Sequence, residues 1–550
     1  MFSLLKKILS NYLFWLTVII VFAFFIRTFD LANNPPAMYG DELTIVYDAY
    51  SILKTGHDQT GQFLPLTFKM GDGRPPFYVY ATIPFVALFG PTAVGVRALS
   101  ILSGLGIILI TFFLTEILIS KRAALFASFL LAISPWDIAL SRGGFETHLA
   151  LFLILLGIFS FIKAREKPFW LIFSALSLGL AIHTYHSYKV LVPLVIILLL
   201  FLIDIKSFFV KKSIKFLISS VLIFFILFSV WVFLIFNGSE GRFNNTNVFS
   251  NPDIARSEID STVTQRNQNN LPFGLNNLFY NKYVFYAGVL EQNYIDNISL
   301  SFLFSSGDRN PRHNPFAMGE LYLAQFFLIL IALLTKLNQH KKLMIFLIGC
   351  ILISPIPTSV VSNGHALRSS FLLFPLTILS TMGMETVIQN YRRFLKIRIF
   401  LAFIIAIFLL QFIWLIGNLF YVSGDKYANF WSFSAKKAST EALENRQKFN
   451  YIFLSTHIDN MEFAYPTYAA IDPELVIAEN RQPKIIGKYS FKQFENIYLG
   501  AVPNSEVNDF IAGLSGNVLY IGEADALKEV KNYDTINGLN NQPALIKVEK

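Results

Sequence analysis

Two adjacent carboxylates, Asp41 and Glu42, follow the first long apolar run of the chain, Leu13 to Phe29. Pro35 and Pro36 end the preceding helix, because proline lacks an N–H donor and clashes inside a helix. Acids held near lipid are costly, so a chemical role is expected. Asp41 is the candidate general base for a hydroxyl group, and Glu42 is expected to orient that hydroxyl or to bind a metal. The alternative for Asp41 is a residue of a solvated loop or a helix N-cap.

Other ionisable residues gather at the predicted outer ends of the apolar runs, whereas the middles of the runs carry almost no charge. The residues at these ends are Asp72, Arg74, Arg97, Arg142, Glu146, His148, His183, His186, Asp308, Arg309, Arg312, His313, His365 and Arg368. A transporter places ionisable groups at the bilayer midplane. An enzyme that acts on a lipid headgroup places them at one interface, so this distribution favours an enzyme.

Four of these side chains are candidates for binding a phosphate group. Arg74 is the first candidate, and the alternative is an arginine whose head merely lies at the interface. His365 and Arg368 are three positions apart and are predicted to share a face at a helix N-terminus, where partial positive charge favours phosphate. Arg312 lies in a second polar loop and adds another cation.

Two further pairs have both a chemical and a structural interpretation. Arg142 and Glu146 are four positions apart, so they either form an ion pair on one helix or shape the acceptor side of a cavity. Asp308 and His313 share a polar loop, and His313 with Asp308 or with a first-loop carboxylate is a candidate divalent-cation site. One histidine alone does not make a metal site.

The composition identifies a polytopic membrane protein. Of 550 residues, 54% are hydrophobic and only 15% are charged, against roughly a quarter charged in soluble proteins. The net charge of +9 comes from lysines and arginines in short loops between apolar runs, so it indicates orientation and not nucleic-acid binding. The single cysteine, Cys350, excludes an intrachain disulfide and a cysteine metal site.

Apolar runs of the length that crosses a bilayer predict about eleven spans. The predicted spans are Leu13–Phe29, Ala93–Leu118, Ala123–Ile138, His148–Phe161, Phe169–His183, Val190–Ile205, Phe216–Phe236, Phe316–Leu334, Leu343–Ser359, Leu367–Val387 and Ile399–Tyr421. Basic residues occupy every second loop, which predicts a cytoplasmic N-terminus and an extracytoplasmic C-terminus.

The loops on the predicted outer side divide the chain into two parts. Residues 1–421 form the transmembrane domain, with outer loops 30–92 and 237–315, and residues 60–90 are predicted to be interfacial helices because prolines interrupt them. Residues 422–550 are predicted to form a small extracytoplasmic α/β domain. Tyr451–Leu454 and Leu519–Ile521 are predicted strands, and 436–448 and 523–532 are predicted helices.

The order of these motifs resembles the membrane glycosyltransferases of the GT-C type. A first span, the Asp-Glu pair and then Gly73-Arg74-Pro75-Pro76-Phe77-Tyr78 are similar to the pattern of protein O-mannosyltransferases and of the aminoarabinose transferases of lipid A. The resemblance covers most of residues 1–420. It implies that Asp41 is the base, that Arg74 replaces the lysine of a Lys-Pro pair, and that His313 and the His365/Arg368 pair match family positions. Gly73 replaces an acid of the family pattern, with Asp72 one step back, which argues against a metal ligand there.

The resemblance implies an inverting transfer of a hexose or pentose from a polyprenyl-phosphate donor to a hydroxyl on a protein, lipid or cell-surface glycan. The expected partners are this donor, membrane lipids and the acceptor, with a divalent metal as the only expected cofactor and no nucleic acid. The expected location is the plasma or inner membrane. The alternatives are a polysaccharide flippase or transporter and an oligosaccharide ligase. We find no glycine-rich nucleotide-binding loop.

Overall fold

The computed structural model describes residues 11–69, 73–202, 213–237, 247–269, 271–272, 275–391 and 395–550. Asp72 lies outside these residues. Long apolar helices make up the first part of the chain, and a seven-stranded sheet with short helices makes up the last part.

The first half of the chain contains ten helices among the described residues up to Phe236, and the second of them carries the acidic pair Asp41 and Glu42. They are α1 (Tyr12–Thr28), α2 (Gly40–Thr55), α3 (Phe77–Phe89), α4 (Ala93–Leu118), α5 (Lys121–Ala132), α6 (Pro135–Arg142), α7 (Glu146–Lys163), α8 (Trp170–Ile182), α9 (Tyr188–Leu202) and α10 (Ile214–Phe236).

In its described part, the long outer loop contains three α-helices, and further apolar helices follow it. They are α11 (Pro252–Gln268), α12 (Asn276–Phe279), α13 (Lys282–Asp296), α14 (Leu323–Lys336), α15 (Lys341–Ile353), α16 (Ile356–Ser359), α17 (Leu373–Asn390) and α18 (Leu395–Gly417). The last part of the chain contains α19 (Ser423–Lys426), α20 (Phe433–Asn445), α21 (Met461–Tyr468), α22 (Pro473–Arg481) and α23 (Val507–Ala512).

Each predicted span coincides with an apolar helix or helix pair among the described residues. Within the described part of the chain, six helices are long and apolar enough to cross a membrane, and the bent pair of α5 and α6 makes a seventh if it is counted as one span. The remaining predicted spans correspond to shorter apolar helices: α1, α8, α9 and α14. The protein is therefore a multi-pass helical membrane protein, and the count of about eleven spans stays a prediction.

Among the predicted spans that differ from the observed helices, two differ for a clear physical reason. The predicted Ala123–Ile138 helix bends by 55° between α5 and α6, because Pro135 starts a new helix whose first turn is capped by Ser134 Oγ. The predicted helix from Phe316 begins only at Leu323. The polypeptide before it is held by Asn314, whose side-chain amide donates to the Ser306 and Met318 carbonyls.

The C-terminal sheet has the strand order β2-β3-β4-β1-β5-β7-β6. Its strands are β1 (Tyr451–Ser455), β2 (Lys484–Ile486), β3 (Tyr489–Phe494), β4 (Ile497–Gly500), β5 (Val518–Glu523), β6 (Asp534–Asn537) and β7 (Pro543–Glu549). Central strands β4, β1 and β5 run parallel, and the outer strands pair antiparallel. The two predicted strands are confirmed as β1 and β5. The predicted helix 436–448 is confirmed as α20, but 523–532 forms only a short 3₁₀ turn.

The sheet region packs directly on the first outer loop. Tyr47 Oη donates to the Ile471 carbonyl at 2.9 Å, and the Met38 amide donates to Tyr468 Oη at 3.0 Å. Residues of the apolar helices and of the sheet region belong to one continuous hydrophobic core. Residues 422–550 are thus anchored to the loop that carries Asp41, while their standing as a separate domain stays a prediction.

Candidate active site

Helix α2 places the acidic pair at its first turn. Tyr39 is the N-cap residue and makes no side-chain cap hydrogen bond, and Asp41 lies inside the helix. The alternative that Asp41 caps this helix is therefore wrong. Its carboxylate adds the usual favourable charge near a helix N-terminus and is available for other contacts.

Arg74 bridges two carboxylates from different elements. Its Nη2 lies 2.6 Å from Asp41 Oδ1, its Nε lies 3.0 Å from Glu146 Oε1, and its Nη1 donates to Thr44 Oγ1 at 2.9 Å. Burial lowers the pKa of Arg74, but the charges of Asp41, Glu146 and Asp48 outweigh it and raise the pKa overall. Arg74 is thus a buried cation that fixes Asp41. Neither direct phosphate binding nor a solvated interfacial head fits its 1% exposed side chain.

Glu42 has a buried partner of its own. Arg97 on α4 donates from Nε and Nη2 to the two oxygens of Glu42, at 2.7 and 2.9 Å. The Gly144 amide donates to the same carboxylate at 2.8 Å. The Glu42 side chain is fully buried, so it joins α2 to α4 and to the α6–α7 junction and is closed to an acceptor or a metal in this arrangement.

A cavity of about 270 Å³ opens beside Asp41. Its lining residues are Tyr39, Gly40, Asp41, Thr44, Arg312, Asn460 and Phe463. The exposed fraction of the side chain is 38% for Asp41, against 10% for Glu146. Asp41 is therefore the acid of this cluster that a substrate can reach, and Arg312 is the cation in the same cavity.

Tyr39 connects the two sides of the cavity. Arg312 Cζ lies 5.1 Å from the centre of the Tyr39 ring, within the range of a cation–π contact. Burial raises the pKa of Tyr39 far above its usual value, and the charges of Asp41, Glu146 and Glu42 raise it further. The Tyr39 hydroxyl is thus neutral at physiological pH.

Asp308, His313 and His365 form a cluster that adjoins the cavity through Arg312, the lining residue that directly precedes His313 in the chain. His313 Nδ1 lies 2.9 Å from Asp308 Oδ2, and His365 Nδ1 lies 3.9 Å from the same oxygen. Burial raises the pKa of Asp308, but its hydrogen bond with His313 and the charges of both histidines lower it to about 2. One ligand atom from each residue lies within 4.8 Å of the others, so the three side chains can hold a metal ion.

The predicted metal pair of Asp308 and His313 is thus brought together, and a first-loop carboxylate does not join it, because Asp41 and Glu42 bind arginines. His365, predicted to bind phosphate with Arg368, lies in the metal-type cluster instead. The helix start predicted at these two residues is wrong, since α17 begins at Leu373. Arg368 donates to Ser362 Oγ at 2.8 Å, and it does not line the cavity beside Asp41.

The alternative in which Arg142 and Glu146 form an ion pair on one helix is wrong, and neither residue lines the cavity beside Asp41. Gly143 and Gly144 separate α6 from α7, so the two side chains leave from different helices. Arg142 donates to the carbonyls of Ile26 and Phe29 at 2.8 and 3.0 Å. It therefore holds the end of α1, while Glu146 belongs to the cluster around Arg74.

Sequence reasoning missed two sets of contacts. Arg27, Asp137 and His148 form a fully buried ionic group, with His148 Nε2 at 3.0 Å from Asp137 Oδ1. The signal available in the sequence was that each of these polar residues lies within or at the end of an apolar run. Asn460 and Phe463 reach the cavity from the sheet region, and no local pattern in the sequence marks them.

Comparison with known proteins supports the same architecture. Residues 73–233 match the family described as dolichyl-phosphate-mannose-protein mannosyltransferase. The structure of ArnT from Cupriavidus metallidurans in the apo state aligns with a TM-score of 0.51 at 13% identity, covering 97% of each chain. Its complex with undecaprenyl phosphate gives 0.50 at 12% identity, covering 97% of this chain and 98% of that one. No curated protein sequence matches the chain.

An archaeal oligosaccharyltransferase from Archaeoglobus fulgidus, tethered with an acceptor peptide, gives a TM-score of 0.50 at 14% identity. The alignment covers 82% of this chain and 63% of that one. The fold is that of a GT-C membrane glycosyltransferase. The resemblance inferred from the Asp-Glu and Arg-Pro-Pro motifs is thereby confirmed, and the residue roles now depend on the geometry of this chain.

Proposed function

We propose that the protein transfers a sugar from a polyprenyl-phosphate donor to a hydroxyl acceptor on the extracytoplasmic face, with inversion at the anomeric carbon. The observation that carries this proposal is the cavity that contains one accessible carboxylate, Asp41, and one cation, Arg312. ArnT, which has the same fold, binds undecaprenyl phosphate, and this supports the donor class.

In the proposed reaction the acceptor oxygen attacks the anomeric carbon while its proton passes to Asp41. The new bond joins that oxygen to the sugar, and the bond from the sugar to the phosphate oxygen breaks. The electron pair stays on the phosphate, where the charge of Arg312 stabilises it. A single displacement of this kind inverts the anomeric configuration.

Arg74 acts in this proposal by positioning the base. It holds one oxygen of Asp41, and its guanidinium is itself fixed by Glu146 and Thr44. Such fixed contacts hold a catalytic group in a reactive orientation without reorganisation. We therefore assign binding of the donor phosphate to Arg312 instead of Arg74.

A divalent cation fits the cluster next to the cavity. Two histidine nitrogens and a carboxylate are a ligand set that zinc accepts, and Asp308 is held by the amides of Ala366 and Asn310, both at 2.8 Å. Such support around a ligand is typical of metal sites. A bound cation would supply positive charge near the donor phosphate.

The direct test is turnover of synthetic undecaprenyl-phosphate hexoses and pentoses by the purified protein in lipid nanodiscs. We expect release of undecaprenyl phosphate and transfer of the sugar to an added hydroxyl acceptor. If none of these donors is consumed, while proteoliposomes move the intact lipid-linked sugar between leaflets, the proposal is wrong and the protein is a flippase.

A further inference from the structure

The sheet region contributes one wall of the cavity that contains Asp41. Asn460 and Phe463, at the start of α21, line it together with the first-loop residues and Arg312. A Cβ atom added to Gly40 would come within 2.5 Å of Asn460 Oδ1. The two parts of the chain therefore meet so closely at this point that any side chain at position 40 would displace the Asn460 amide.

The turn that carries Asn460 is built to hold this side chain in place. Asn460 adopts a left-handed backbone conformation with φ +58°, which asparagine tolerates better than most residues. Its Nδ2 donates to Ser432 Oγ at 2.9 Å, and Ser432 Oγ donates to Asp459 Oδ2 at 2.7 Å. The amide is thus oriented by its neighbours before any substrate enters.

We infer that Asn460 and Phe463 form the acceptor subsite and that the acceptor is an uncharged carbohydrate. This inference rests on the proposed function, in which Asp41 takes the acceptor proton. An acceptor must place its hydroxyl group beside Asp41 inside this cavity. It would then lie between Asp41 and the wall formed by Asn460 and Phe463. The polyprenyl donor arrives from the membrane, whereas this wall belongs to the part of the chain that is predicted to face water.

The chemistry of the wall selects a sugar ring over a charged group. Among the described lining residues, Asp41 and Arg312 carry the only charges, and the proposed reaction uses both. Phe463 offers an apolar aromatic face to the C–H face of a sugar, and Asn460 offers an amide that can donate to and accept from hydroxyl groups. A phosphate or carboxylate on the acceptor would find no second cation here.

The test compares the acceptor dependence of turnover in three variants. Phe463→Leu removes the aromatic ring but keeps apolar volume, whereas Phe463→Tyr keeps the ring. Asn460→Gly removes the amide, and glycine accepts the positive φ at this position. Phe430→Leu is the matched control, because Phe430 lies in the same region, is 45% exposed and does not line the cavity. The probes are an undecaprenyl-phosphate sugar that the wild type consumes, a panel of neutral oligosaccharides, and a threonine-containing peptide.

We expect neutral oligosaccharides to stimulate release of undecaprenyl phosphate by the wild type, and the peptide not to do so. Phe463→Leu should raise the half-maximal oligosaccharide concentration by about tenfold, and Asn460→Gly by about two- to tenfold. The donor KM should stay unchanged in both, and Phe463→Tyr should behave as the wild type does.

Stimulation by the peptide alone, or by no oligosaccharide, would overturn the carbohydrate assignment. A rise in donor KM equal to the rise for the acceptor would overturn the acceptor subsite. Both results leave the proposed transfer intact, because that proposal fails only if the wild type consumes no polyprenyl-phosphate sugar at all.

Discussion

At the residue scale, the three carboxylates of Asp41, Glu42 and Glu146 differ in their partners and in their exposure. Asp41 shares Arg74 with Glu146 and stays partly exposed, whereas Glu42 is closed off by Arg97 and the Gly144 amide. Two adjacent acids therefore have two different uses within one turn of α2. Substitution of Asp41 should consequently lower turnover, whereas substitution of Glu42 should lower the unfolding temperature.

Asp41→Asn keeps the size of the side chain and removes proton acceptance. We expect transfer to fall by at least ~10²-fold, the lower end for general-base catalysis, with an unchanged unfolding temperature. Turnover of the undecaprenyl-phosphate sugar is the measurement, and Asp425→Asn, an exposed acid beyond α18, is the control. Turnover near that of the wild type would remove Asp41 from catalysis.

Glu42→Gln should mainly destabilise the protein. It leaves Arg97 buried without its charged partner, and breaking a buried pair in this way costs about 3–5 kcal/mol. The unfolding temperature is the measurement, with turnover recorded on the fraction that stays folded. An unchanged unfolding temperature together with lost turnover would instead give Glu42 a direct role in the reaction.

Arg312→Ala should weaken use of the donor. Loss of a charge-assisted contact with phosphate costs roughly 1.5–3 kcal/mol, which is about one to two powers of ten in affinity. The donor KM is the measurement, and Arg309→Ala is the matched control, because Arg309 is an exposed cation of the same loop. Equal effects of the two substitutions would indicate a general charge effect instead of a specific contact.

The metal-type cluster also makes a prediction at this scale. Zinc should raise the unfolding temperature of the wild type, because a hundredfold excess over Kd stabilises the folded state by about 2.7 kcal/mol. One zinc per chain should be retained after desalting. His313→Ala and His365→Ala should abolish both effects, whereas His340→Ala at the opposite predicted side should not. A zinc content that the first two substitutions leave unchanged would contradict the assignment.

At the element scale, α2 is the helix that the site depends on. Its first turn carries the acids, and its middle carries Asp48, whose Oδ1 accepts from the Gln59 amide at 3.1 Å. Burial is the largest effect on Asp48 and raises its pKa to about 7. The charge of Asp58 also raises this pKa, whereas the hydrogen bonds from Gln59 and the charge of Arg74 lower it. The helix therefore contains a carboxyl that is protonated in mildly acidic conditions.

The raised pKa of Asp48 gives a signed pH dependence. Between its usual value near 4 and about 7, the folded state binds a proton that the unfolded state releases. The free energy of unfolding therefore falls as the pH rises through this range, by about 4 kcal/mol, and is level above it. Unfolding temperatures of the wild type and Asp48→Asn from pH 5 to 8 should diverge, with the variant more stable at pH 8. Parallel curves would mean that Asp48 does not titrate there.

The sequence predicted the helices of the membrane region because a bilayer imposes a length and an apolar composition on each span. It also singled out Asp308 and His313 correctly as neighbours, and it placed Asp41 at the start of the loop that lines the cavity. It did not predict which arginine binds which acid, since Arg74 and Arg97 have the same chemistry and only packing assigns them. The break before Leu323 was missed because the apolar run begins earlier than the helix does.

At the scale of the whole molecule, the proposed site lies at one end of the apolar helices, where the sheet region packs. The orientation of this end remains a prediction from the alternating basic loops. A reporter enzyme that is active only outside the cytoplasm, fused after Val422, should be active in cells. The same reporter fused after Lys121, in a predicted cytoplasmic loop, is the control and should be inactive. The reverse pattern would place the cavity on the cytoplasmic side.

The close approach of Gly40 and Asn460 also bears on how the protein is made. The ribosome delivers Gly40 well before Asn460, so the cavity lacks one wall while the helices between these two residues are inserted. A chain that stops after α18 would then be inserted in the membrane without an acceptor wall. In the proposed reaction, transfer to an acceptor would therefore begin only after the sheet region has been synthesised and has packed on the first outer loop.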